Sequence, residues 1–80
     1  MLKPLTKAQT EKIIRIASEE FANNGYAHAS ISSIAKRSGV SVGVIYKYYE
    51  DKKDLFNACV VKSLEALDEV FESVRIPIFR

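Results

Sequence analysis

Residues 30–49 read SISSIAKRSGVSVGVIYKYY, two short helical segments hinged on one glycine, and the rest of the chain is arranged around them. Ser30 is suited to cap a helix over Ile31–Ser38, its hydroxyl accepting a backbone N–H that the first helical turn leaves unpaired. Ile34 and Ala35 then face inward. Gly39 falls where a helix C-terminus calls for a left-handed residue, a conformation that glycine adopts without a Cβ penalty. Val40 follows as an apolar plug. Ser41 is a second cap, and residues 42–49 make a helix of about two turns with Ile45 and Tyr49 on one face. Two helices around a tight glycine turn describe a helix-turn-helix, whose second helix can enter a DNA major groove.

Upstream, Thr6 and Gln9 stand at capping-box spacing, so a first helix begins at Lys7. Residues 1–5 precede it as a loose arm, made basic by Lys3 and kept extended at its start by Pro4. Ile13, Ile14, Ala17, Phe21 and Ala22 form the inward stripe of this helix, with Lys12, Arg15, Glu19 and Asn23 in water. Asn23, Asn24 and Gly25 end it, Gly25 in the left-handed position and Tyr26 folding back as an apolar contact. His28, the single histidine, reads as an exposed linker residue. A zinc site needs several ligands, and no second histidine or cysteine pair stands at ligand spacing.

Downstream, Asp51 caps a long fourth helix over Lys52–Val74, with Glu50 and Asp54 suiting its positive end. Phe56, Val60, Leu64, Leu67, Phe71 and Val74 recur at steps of 4, 4, 3, 4 and 3, against polar Lys62, Glu65, Asp68, Glu69 and Glu72. The first half of this stripe, with Leu55 and Cys59, is expected to cover the other helices. The second half, joined by Ile76, Ile78 and Phe79 around the helix-stopping Pro77, finds no partner in the chain. A larger body, in a following segment or in another chain, is expected to cover it.

Eighty residues make one small domain, whose core supplies only about 3–5 kcal/mol. The formal net charge of +2 is compatible with nucleic acid without requiring it. Its distribution is more informative. Lys36, Arg37, Lys47, Lys52 and Lys53 outnumber Glu50 and Asp51 around the motif, whereas residues 64–74 carry only acidic charges. Phosphates are contacted by Lys, Arg, Ser, Tyr and helix N-termini, all of which the motif offers together. The lone Cys59 cannot form an internal disulfide and reads as a small buried apolar side chain in a reducing compartment. No apolar signal core or membrane-spanning run is present, so a soluble, intracellular protein is expected. No strand pattern, repeat or low-complexity segment appears. The serines have no histidine partner in a recognisable arrangement, which argues against an enzyme and leaves no cofactor or metal to expect.

Taken together, Phe21 with Gly25 and Tyr26, Ser30 at a usual Thr cap, Ile34-Ala35, Gly39-Val40-Ser41, Gly43, Tyr46, Tyr49, and Lys52 with Leu55 carry a resemblance. The chain resembles the N-terminal DNA-binding region of TetR-type transcriptional regulators. The resemblance implies an all-α fold: a three-helix, homeodomain-like helix-turn-helix bundle over residues 1–55 plus a long fourth helix. Residues 52–80 would hold that helix and the start of a linker to an effector and dimerisation domain that lies outside the chain. It also implies sequence-specific binding of double-stranded DNA by a repressor, a homodimer on a palindromic operator, and a small-molecule effector for the further domain. A cytoplasmic, nucleoid-associated location of bacterial type and no membrane partner go with it.

Residue by residue, the resemblance makes the third helix the reader, with Val42, Gly43 and Val44 on its exposed first turn. Gly43 would allow close approach and the valines would meet thymine methyl groups. Ser32 and Lys36 would reach a base edge or the flanking backbone, while Ser30, Ser41, Tyr46, Tyr48 and Lys52 match phosphate-contacting positions. Lys47 is the candidate for a polar base contact. Tyr48 stands where a histidine is frequent, Tyr49 where phenylalanine is usual, and Val42 and Val44 where polar residues are common. The rival expectation is a protein-interaction module that docks through the apolar face of the fourth helix.

Overall fold

The computed structural model describes residues 4–74 and their side chains as far as residue 65, and among the described residues there are four helices and no strand. They are α1 (Lys7–Asn24), α2 (Ile31–Ser38), α3 (Val42–Tyr48) and α4 (Lys52–Val74), so the fold is all-α as expected. Every start is fixed by a side chain that accepts the N–H of the third helical residue. Thr6 Oγ1 accepts from Gln9 N at 3.1 Å, and Gln9 Oε1 accepts in return from Thr6 N at 2.9 Å. Ser30 Oγ accepts from Ser33 N at 3.2 Å, Ser41 Oγ from Val44 N at 3.1 Å, and Asp51 Oδ1 from Asp54 N at 2.8 Å.

The turn between α2 and α3 depends on Gly39, at φ 76° and ψ 24°. Its N–H reaches Lys36 O at 3.2 Å and the next N–H, of Val40, reaches Ala35 O at 3.0 Å, the paired bonds of a Schellman ending. Gly25 differs from expectation. Its φ of 78° is positive, but ψ is 159°, so the residue is extended rather than left-handed helical. That region is open essentially to glycine alone. Gly25 N then donates to Phe21 O at 2.9 Å and Ala29 N to Gly25 O at 3.0 Å, which closes a tight corner.

The core draws Ile13, Ile16, Ala17 and Phe21 from α1, Ile31, Ile34 and Ala35 from α2, Ile45 from α3, and Leu55 and Cys59 from α4. The inward stripe of α1 is rotated from the expected one: Ile16 is buried, Ile14 only half-buried and Ala22 exposed. The buried positions 13, 16, 17, 20 and 21 follow the i, i+3, i+4, i+7, i+8 pattern of a helix held between two neighbours, here α2 and α4. Position 20 in that series is a glutamate. Glu20 is 6% exposed and is satisfied by Asn24 Nδ2 at 3.1 Å, Ser30 N at 3.3 Å, Ser33 Oγ at 3.3 Å and Arg37 at 3.5 Å. Its carboxylate thereby ties α1 to the start and the last turn of α2.

Tyr26 folds back as expected, stacking on Phe21 and meeting Phe56 edge-on at 5.3 Å. On α4 the covered residues are Leu55 and Cys59 with Phe56 half-buried, whereas Val60 and Leu64, expected on the covered stripe, are exposed beside Val61. Burial pushes the Cys59 thiol up, and the group donates to Ile14 O at 3.7 Å, as a small buried side chain does. Burial likewise raises the Tyr49 phenol, with Cys59 and Asp54 adding to it. The expected stripe at Leu67, Phe71 and Val74, and Ile76, Ile78 and Phe79, lie outside the described side chains. No described helix is long and apolar enough to cross a membrane.

Candidate nucleic-acid interface

The short α3 is held by one face. Ile45 is 1% exposed and locks into the core, against which half-buried Val42 and Tyr49 also pack. Gly43, Tyr46, Lys47 and Tyr48 are turned outward. Val42 and Val44, expected on an exposed first turn, are both half-buried. Val42, one turn before Ile45, is drawn onto the core edge. Val44 instead lines a groove of about 360 Å³ together with Lys47 and Tyr48 of α3 and Pro4, Leu5 and Gln9 at the chain's start.

Of the other expected residues, Ser30, Ser32, Lys36 and Ser41 are exposed. The oxygens of Ser30 and Ser41 are occupied as caps, which leaves each hydroxyl proton to donate. Lys52 is half-buried and otherwise engaged. Its ammonium donates to Ala27 O and Ala29 O, each at 3.3 Å, and lies 4.8 Å from the Tyr26 ring centroid. The positive charge of Lys52 thus pins the α1–α2 corner to the start of α4. Arg37, counted in the basic cluster from sequence, is also committed, to Glu19 at 2.6 Å and Glu20 at 3.5 Å. Among the described residues no carboxylate pairs with Lys36, Lys47 or Lys53, and these three are exposed.

Two participants were not foreseen. Glu20 fixes the N-terminus of α2, and Leu5 packs on the core and donates its N–H to Tyr48 Oη at 3.0 Å, so the arm is docked rather than loose at that point. His28 is exposed, and no group of three or more His, Cys, Asp or Glu among the described residues is placed to hold a metal ion.

Comparison with known proteins adds to this geometry. A family described as bacterial regulatory proteins, tetR family, matches residues 13–59, from the first buried isoleucine of α1 to the buried cysteine of α4. The chain is 39% identical over 62 residues to a fatty acid metabolism regulator protein of Bacillus subtilis (strain 168), covering 72% of this chain and 32% of that protein. It is 32% identical over 73 residues to the HTH-type transcriptional regulator BetI of Stenotrophomonas maltophilia (strain R551-3), covering 91% of this chain and 37% of that protein. An HTH-type transcriptional regulator of Staphylococcus aureus (strain USA300) is 28% identical over 69 residues, with 86% and 37% covered. The chain therefore spans about a third of the length of these curated relatives. With the family match covering residues 13–59 of the 80 and these relatives beside it, this chain belongs to the tetR family of bacterial regulatory proteins.

Proposed function

We propose that this chain is the DNA-binding part of a transcriptional regulator, with α3 entering the major groove of double-stranded DNA. The observation that carries it is the two-sidedness of α3: Ile45 is sealed in the core while Gly43, Tyr46, Lys47 and Tyr48 face out. Gly43 and Lys47 are the base-facing candidates, with Val44 at the groove edge for a thymine methyl and Val42 behind it. Ser30, Ser41, Tyr46 and Tyr48 offer hydroxyl protons to phosphates, and Ser32 and Lys36 reach the flanking strand from α2. Lys52 can add to this only through the N–H that its two carbonyls leave over. In the cell the regulator would act as a repressor and a homodimer on a palindrome, in the cytoplasm, with its effector held by a further domain.

The exposed Val60, Val61 and Leu64 support a second contact, in which α4 docks on another part of the regulator or on a partner protein. The two readings use different ends of the molecule, and salt separates them. Neutralising four or five phosphates predicts a loss of duplex affinity of about 150-fold to 500-fold between about 50 and 200 mM salt. Apolar docking through α4 would leave duplex binding absent or flat, and that result would remove α3 from the groove.

A further inference from the structure

Leu5 and Tyr48 are 43 positions apart in the sequence and meet through one hydrogen bond. The Leu5 N–H precedes the cap Thr6, so it has no carbonyl of α1 to bond. It donates instead to Tyr48 Oη at 3.0 Å. Its side chain, half-buried on the core, holds that donor in place. Tyr48 is 42% exposed, so the phenol has a wet side as well as a covered one.

A phenol oxygen accepts hydrogen bonds and has one proton to give. With Leu5 on the accepting side, the proton is directed away from the arm, and no acceptor among the described residues takes it. Phosphate oxygens only accept. A phenol whose lone pair is already engaged is therefore matched to phosphate, and accepting one bond strengthens the bond it donates by roughly 10–30%. We propose that the arm segment carrying Leu5 is part of the DNA-binding machinery, its N–H fixing Tyr48 as an outward-pointing phosphate donor. Tyr48 touches the DNA and Leu5 is a positioning residue that acts through it. The proposal rests on α3 facing DNA, and the test keeps the two apart.

The experiment measures binding of the whole chain to a labelled random-sequence duplex of about 20 base pairs at several salt concentrations, where each phosphate neutralised by Lys or Arg contributes about 0.9 to the slope of log affinity against log salt and a neutral hydroxyl contact adds affinity alone. Tyr48→Phe is expected to weaken binding several-fold at every salt concentration and to leave the slope unchanged, because it removes a neutral donor and no charge. Leu5→Pro removes the N–H but keeps an apolar side chain; it is expected to weaken binding in the wild-type chain and to have no further effect in the Tyr48→Phe chain. Unchanged affinity in Tyr48→Phe, or an equal loss from Leu5→Pro in both backgrounds, overturns the proposal. Should Leu5→Pro fail to fold, exchange of the Leu5 amide proton decides: protection that rises on adding duplex supports the clasp, and unchanged or lower protection overturns it. A wild-type chain with no salt-dependent binding at all would instead sink the assignment of α3 to DNA, and the clasp with it.

Discussion

Gly43 sits inside a helix of 7 residues, where glycine is about 1 kcal/mol less favourable than alanine. Neither its backbone nor its surroundings require it. The glycines at positive φ are Gly25 and Gly39, and a Cβ built on Gly43 would meet only Ser41 Oγ, at 3.7 Å. The proposed close approach of DNA would account for the choice. Gly43→Ala is therefore expected to raise stability by about 0.5–1 kcal/mol, a few degrees in Tm, while weakening duplex binding. Thermal unfolding and anisotropy on the same sample check it, and an alanine variant that binds as tightly as wild type would end the close-approach account. Glu20 shows the limit of sequence at this scale. A glutamate in an amphipathic helix reads as solvent-facing, because an unpartnered buried carboxylate is costly. Its partner within α1, Asn24, is equally suited to an exposed pair, and Ser30, Ser33 and Arg37 come from α2 and its cap, so nothing near Glu20 in the chain announces its burial.

Helix boundaries were legible because caps are local. Thr6, Ser30, Ser41 and Asp51 each bond a residue three positions on, and Gly39 closes its turn through atoms within five residues. The phase of α1 was not, since Ile13, Ile14 and Ile16 offer competing stripes and only the placement of α2 and α4 selects Ile13 and Ile16. Ser41 is where capping and the proposed DNA contact overlap. A helix as short as α3 has no stability of its own, so its cap bears directly on its position. Ser41→Ala is expected to cost about 1 kcal/mol and to weaken binding for that reason alone. Ser41→Asp keeps an oxygen for Val44 N and adds a negative charge, so it should unfold within about 0.5 kcal/mol of wild type yet bind duplex more weakly than Ser41→Ala. Should the aspartate variant bind like wild type, Ser41 would be a cap and nothing more.

At the scale of the molecule, the putting of α3 on the surface follows from α1 serving both α2 and α4, while α4 runs past the core with Val60, Val61 and Leu64 exposed at 41%, 54% and 59%. Those residues set the competing expectations for assembly. Should the dimer of the proposed regulator depend on a further domain, this chain alone reads one half-site, and two copies joined artificially recover the avidity. Half-sites on one face of DNA lie about 34–36 Å apart, a span matched by a flexible Gly/Ser linker of about 40 residues. The tandem chain is then expected to bind a palindrome about 10²–10⁴ times more tightly than one copy binds a half-site, whereas the single chain occupies the palindrome without cooperativity. Titration of both chains against half-site and palindromic duplexes, with sedimentation of the free proteins, reads this directly. Cooperative binding by the single chain, abolished by Val61→Glu with Leu64→Glu, would mean that α4 itself supplies the dimer. In that case the apolar patch on α4 is a self-association surface, and linking two copies should add little.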